Sequence, residues 1–206
     1  MLKIWGRANS VNVKKVMWCV GELGIPHERV DAGLAFGINN TPEFKAKNPN
    51  GLVPLIDDDG FILWESNAIV RYLSAKYGSG SLWASDPAVR AMGDKWMDWP
   101  TSTLVPEFRK VFHNIVRRPP AERDHAEAAE GIAACSKLFA MVDGALSTQP
   151  YLSGQALGMG DIPLGCFAYL WLSMPIERPS MPHLEAWYGK LKERPAYQSG
   201  VMTPLS

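Results

Sequence analysis

The sequence predicts an α/β domain followed by an all-helical one. Three observations carry that expectation. Strand and helix patterns alternate over the first 77 residues, and strand signals vanish after Gly78-Ser79-Gly80-Ser81. Residues 161–172 are almost all apolar, which suits a helix at the centre of a helical shell. The division is residues 1–77, a linker at 78–85 and residues 86–206. A chain of 206 residues is long enough for two modest domains packed together.

Leu2-Lys3-Ile4-Trp5 reads as a short strand, followed by a loop from Gly6 to Ser10. Between Asn12 and Leu23, Val13, Val16, Met17 and Val20 fall at i, i+3, i+4 and i+7, the stripe of an amphipathic helix, and Gly24 ends it. His27 to Asp31 is a second, weakly signalled strand. Two apolar runs, Leu52 to Ile56 and Phe61 to Trp64, flank Asp57-Asp58-Asp59-Gly60, and Asp-Gly between such runs is a hairpin signal. Glu65-Ser66 then opens a helix with Ala68, Ile69, Tyr72 and Leu73 on one face. Beyond the linker, Ser85-Asp86-Pro87 supplies a cap and an N-terminal proline for a helix running through Met92 and Trp96, with Pro100 placed to interrupt it. A long helix is expected over about residues 121–146, with Ala128, Ile132, Cys135, Phe139, Val142 and Leu146 inward. Leu184, Trp187, Tyr188 and Leu191 mark a last helix, with Pro195 as its stop.

Composition narrows the function classes. The hydrophobic fraction is 47% and the charged fraction 20%, too apolar for intrinsic disorder. Lysine plus arginine and aspartate plus glutamate both number 21, so no net field draws the chain to nucleic acid or to anionic membrane. No apolar run approaches the ~20 residues of a membrane helix, and MLKIWGRANS lacks the apolar core of a secretory signal. Cys19, Cys135 and Cys166 are odd in number and widely spaced, which argues against a disulfide framework. A cytoplasmic location is the economical expectation. His27, His113, His125 and His183 are too scattered to hold a metal, and none is expected.

The motif Asn48-Pro49-Asn50-Gly51-Leu52-Val53-Pro54-Leu55, then Glu65-Ser66-Asn67-Ala68-Ile69 with Tyr72-Leu73 after it, resembles the glutathione transferase superfamily over nearly the whole chain. The opening Ser10-Val11-Asn12-Val13-Lys14-Lys15-Val16 is similar to the serine-type theta, phi and related bacterial subgroups. The resemblance implies a thioredoxin-like N-terminal domain, an all-α C-terminal domain, glutathione as co-substrate and a homodimer.

It also implies roles for particular residues. Val53 precedes Pro54, cis in this family, so that the Val53 main chain pairs with the cysteinyl unit of glutathione. Ser66 stands at a helix start, where N–H, hydroxyl and dipole suit the γ-glutamyl carboxylate, and Glu65 meets the adjacent ammonium. For the glycine end the candidates are Asn39, Asn40 and Leu52, where relatives carry basic or amide side chains. Ser10, at the start of the first helix, donates to the glutathione sulfur and holds it as thiolate, because unpaired N–H groups and the dipole favour an anion there. Asn12 is a second donor and Asn9 a reserve. Trp99, Phe108 and Phe112 are candidates for the electrophile pocket, with Trp96 nearby. Gly158-Met159-Gly160-Asp161 matches a structural capping motif whose usual Ser or Thr is here Gly158, a change expected to cost only a few tenths of a kcal/mol.

The expected activity is transfer of glutathione to a small hydrophobic electrophile. A glutathione-dependent isomerase, dehalogenase or peroxidase of the same fold, or a binding protein without chemistry, are the alternatives.

Overall fold

The computed structural model describes residues 1–206. The first half runs β1 (Leu2–Trp5), α1 (Val11–Glu22), β2 (His27–Val30), α2 (Pro42–Lys47), β3 (Leu55–Asp58), β4 (Phe61–Trp64) and α3 (Ser66–Tyr77). The four strands form one mixed sheet in the order β2-β1-β3-β4, with β1 parallel to β2 and antiparallel to β3. In the β3–β4 hairpin Asp59 and Gly60 both have positive φ, 53° and 93°. That geometry twists the turn with the strands and explains why Asp-Gly stands there. The ladder begins at Leu55, not Leu52, so Leu52, Val53 and Pro54 stay outside the sheet.

The second half is helical: α4 (Pro87–Trp99), α5 (Val105–Phe112), α6 (His125–Leu146), α7 (Asp161–Ser173), α8 (Pro182–Lys192) and α9 (Pro195–Gly200). Asp86 caps α4 by accepting from the N–H groups of Ala88 and Val89. Pro100 opens a π-helical turn over residues 100–104 that redirects the chain into α5. The long helix starts at His125, capped by Asp124, later than residue 121 because Pro120 heads a separate short turn. Pro195 does not merely stop α8. It occupies the first position of α9, where its missing N–H costs nothing.

One apolar core crosses both halves. Trp18 of α1 lies edge-on to Tyr197 of α9, and Gly165 of α7 passes so close that a Cβ there would sit 2.5 Å from the Trp18 ring. Glu22 locks the seam by accepting from Trp18 Nε1 and from two nitrogens of Arg194. Helix α7 is buried along nearly its whole length. Its first residue, Asp161, accepts from the N–H groups of Leu152, Ser153 and Gly158 and from Trp187 Nε1. The capping motif is therefore filled without a side chain at residue 158. A Cβ on Gly158 would lie 2.6 Å from Ser153 Cβ, so Ser153 occupies the space that the usual residue needs. No helix is long and apolar enough to cross a membrane.

Candidate active site

A cavity of about 340 Å³ lies between the two halves. Its first wall is the β1–α1 loop with the start of α1, and the segment before β3. Its second wall is α5 with the turn after it, and Phe167 and Leu170 of α7 complete it. A larger depression of about 440 Å³, between the linker and the 149–159 loop, has Arg90 as its one charged side chain and holds none of the catalytic, glutathione-binding or electrophile-pocket candidates.

Ser10 is the N-terminal flanking residue of α1, extended at φ −82° and ψ 123°, and its carbonyl accepts the Lys14 N–H. Its side chain makes no capping hydrogen bond. The hydroxyl is thus not spent on the helix, and it lines the cavity beside first-turn N–H groups that lack intrahelical partners. Asn12 lines the same cavity, but its Oδ1 accepts from Ser66 Oγ at 3.2 Å. It therefore links the helix start to Ser66. Asn9 also lines the cavity, with its amide nitrogen donating to Ser206 Oγ.

Val53 and Leu52 border the cavity, and the Val53–Pro54 bond is cis. The main chain of Val53 makes no hydrogen bond to the rest of the protein, so a donor and an acceptor stand open beside Ser10. The glycine-end candidates behave differently. Asn39 donates to Gly51 O and shapes the loop, Asn40 is exposed, and Leu52 is 65% exposed at the rim and offers no charge.

Ser66 is the first residue of α3, buried, with its hydroxyl also accepting from Lys15 Nζ at 3.4 Å. Lys15 also donates to Asn67 Oδ1 at 3.2 Å and lies over the Phe167 ring. Burial pushes its ammonium down to about 8, against pulls from Cys166 and Glu65 in the other direction. A buried cation therefore stands next to the helix start that would receive a carboxylate. Glu65 precedes α3 with φ 73° and ψ 111°, a region that side-chain-bearing residues avoid and that costs about 1–3 kcal/mol. Its carboxylate has no hydrogen-bond partner in the chain and is exposed.

Of the aromatic candidates, Phe108 and Phe112 line the cavity, stacked at 6.2 Å, whereas Trp99 does not; it packs edge-on against Trp96. Three arginines that sequence reasoning passed over, Arg7, Arg109 and Arg117, and His113 share this cavity. Burial lowers the pKa of Arg7, with Arg117 adding to the effect, and burial also lowers Arg117. Lys15 lies on the side of α1 turned away from Val13, Val16 and Val20, so the apolar stripe gives no sign that it is buried.

The matching families follow the two halves. Residues 1–75 match the model of the glutathione S-transferase N-terminal domain, and residues 94–195 that of the C-terminal domain. The chain is 47% identical over 208 residues to glutathione S-transferase GstB of Escherichia coli (strain K12), with both chains covered in full. It is 29% identical to glutathione S-transferase 4 of Zea mays, over 95% of this chain and 89% of that one. Among solved structures, the theta class glutathione S-transferase of Xanthomonas axonopodis pv. citri with glutathione bound shares 55% identity at a TM-score of 0.97, covering 100% of this chain and 99% of that one. Its apo form superimposes at 0.88, covering 100% and 98%. Two family models in chain order, a relative matched end to end and the same fold throughout lead to one conclusion: this chain belongs to the glutathione S-transferase family.

Proposed function

We propose that Ser10 activates glutathione as a thiolate for attack on a small electrophile held against Phe108 and Phe112. The observation that carries this reading is the Ser10 hydroxyl, unpartnered at the start of α1 and lining one cavity with Val53, whose main chain is open. The tripeptide's middle pairs with Val53, and its γ-glutamyl carboxylate meets Ser66 backed by the Lys15 ammonium. Glu65 takes the ammonium. The thiol proton leaves to solvent, and the hydroxyl with the helix terminus stabilises the sulfur anion that attacks. The Asn12–Ser66 hydrogen bond supports a positioning role for Asn12 in place of direct contact with sulfur.

The same reading includes disposal of reactive electrophiles in the cytoplasm, where three buried free thiols and a glutathione pool are both at home. It also includes a homodimer, for which Phe61, Trp64, Val89 and Met92 offer exposed apolar side chains to a second copy. Calorimetric titration with glutathione, followed by conjugation to an activated aryl halide, tests the core of the proposal. Saturable binding with thiol-dependent turnover is expected, and binding without turnover on any electrophile would leave a ligand-binding protein instead.

A further inference from the structure

The turn that delivers Ser10 is held from outside the sheet and the helix. The N–H groups of Gly6 and Arg7 donate to Val30 O and Ala32 O, and Ser10 O accepts from the Lys14 N–H as α1 begins. Between these anchors, Ala8 and Asn9 make no hydrogen bond from main chain to main chain. Their polar ties go to residues 201–206, the stretch that follows α9. Thr203 Oγ1 donates to Ala8 O at 3.5 Å, and Asn9 Nδ2 donates to Ser206 Oγ at 2.6 Å.

A buried cation anchors that stretch in turn. Lys14, 1% exposed, donates to Val201 O at 2.6 Å and to Thr203 Oγ1, and its ammonium lies 5.3 Å from the centre of the Tyr169 ring. The Tyr169 hydroxyl, on α7, donates to Thr203 O at 2.6 Å. An ammonium taken out of water needs acceptors, and both that Lys14 has belong to this stretch. With Lys14 donating to its oxygen, the Thr203 hydroxyl has its one hydrogen left for Ala8 O. Ser206 reaches the facing wall as well, since its main-chain oxygen accepts from Arg117 Nε at 2.9 Å. Residues 201–206 therefore bridge the turn before α1 and the turn after α5, the two walls of the cavity.

We propose, resting on the Ser10 reading above, that Lys14 and Thr203 are positioning residues for Ser10. The ammonium pins residues 201–206 against α7, and Thr203, with Ser206 beside it, holds the Ala8–Asn9 turn so that the Ser10 hydroxyl stays aimed at the glutathione sulfur. Neither Lys14 nor Thr203 lines the cavity, so each acts through Ser10. A misplacement of about 1 Å can cost about 100-fold in rate, so a loosened turn shows in turnover before it shows in binding. Glutathione itself is held at Val53 and Ser66, away from this turn.

A double-mutant cycle in the full chain tests this. Thr203→Val keeps the side-chain shape and removes the hydroxyl. It should raise the pKa of the bound thiol toward the Ser10→Ala value and lower turnover at neutral pH about 3- to 30-fold, with glutathione affinity within about twofold of wild type. Thr203→Ser keeps the hydroxyl and should hold both near wild type. In a Ser10→Ala background, Thr203→Val should have little further effect on either, because the two changes act through one group. Ser206→Ala, at an exposed residue, should give a smaller loss of the same kind. A folded Thr203→Val protein with wild-type thiol pKa and turnover would overturn the proposal. So would one that loses turnover equally with and without Ser10, since Thr203 would then support the fold in general. Should Thr203→Val fail to fold, wild-type values in Ser206→Ala overturn it instead. Should Ser10→Ala alone leave the bound thiol unchanged, the Ser10 reading falls, and this inference with it.

Discussion

Replacing Lys15 by Met should stabilise the fold and weaken glutathione binding together. The ammonium is 2% exposed, and burial brings its pKa from 10.5 to about 8. At about 1.36 kcal/mol per pH unit, holding it charged at pH 7 costs roughly 3 kcal/mol. Met keeps most of the stem volume and removes the charge. What is lost is a pair of long hydrogen bonds, at 3.4 Å to Ser66 and 3.2 Å to Asn67. The net gain should be about 1–3 kcal/mol, a melting temperature higher by about 2–10 °C for a chain of this size. The pH dependence follows from the direction of the shift. Below about pH 8 the native and unfolded chains are both protonated and the full penalty applies. Between about pH 8 and 10.5 the unfolded chain binds more protons, so stability rises with pH and the penalty fades. Lys14, also held near 8 by burial, keeps its share of that rise, so Lys15→Met should flatten the slope without abolishing it. Glutathione affinity should fall by about 3- to 30-fold, as for loss of a charge behind a hydrogen-bonded carboxylate. Scanning calorimetry at pH 7 and 9.5, with titration calorimetry, reads all three effects. A variant that melts lower at pH 7, or that binds glutathione as the wild type does, refutes the reasoning.

Ser66→Ala should weaken glutathione binding by about 1–3 kcal/mol and cost about 1 kcal/mol of stability, since Asn12 and Lys15 lose a buried partner; titration calorimetry and chemical denaturation measure the two. Glu65→Gly relieves the residue's positive φ, so stability should hold or rise by up to about 1 kcal/mol while glutathione affinity drops about tenfold. Gly158→Ser restores the usual residue of the capping motif yet should destabilise by about 1–3 kcal/mol, because Ser153 fills the space. Adding Ser153→Gly to that variant should recover most of the melting temperature.

Much of this architecture is written in local pattern. Asp59-Gly60 demanded a turn with two positive φ values, and the unbroken apolar run of α7 demanded burial on every side. Short elements escaped. Helix α2 has its Thr41 cap and Pro42 in place, but six residues burying only Phe44 leave no periodicity to detect. Helix α9 hid behind Pro195, whose role at a helix start is indistinguishable from a stop without the following turn. At the site, Ser10, Val53 and Ser66 were legible because each is tied to a helix start or a proline. The cations were not. Lys15 reads as a solvated residue until α3 and α7 close over it, and Arg109, His113 and Arg117 carry no sign of a shared cavity until Arg7 is brought opposite. Such groups gain meaning only from the element packed against them, which sequence spacing does not reveal. The reason glycine suits position 158 was hidden in the same way, since Ser153 is five residues away in sequence but in contact in space.

The central claim is that the Ser10 hydroxyl and the start of α1 together hold the glutathione sulfur as an anion. The direct measurement is a pH titration of thiolate absorbance in the enzyme–glutathione complex, wild type against Ser10→Ala. In the wild type the bound thiol should ionise well below the ~8.5 of a free thiol. Ser10→Ala removes the hydroxyl but keeps the dipole, so its thiol pKa should return part of the way. Conjugation at neutral pH should fall about 10- to 1,000-fold, as for loss of one anion-stabilising donor, with glutathione affinity nearly unchanged. Coincident titration curves with retained turnover would contradict the account, leaving the helix start or another group to activate the sulfur.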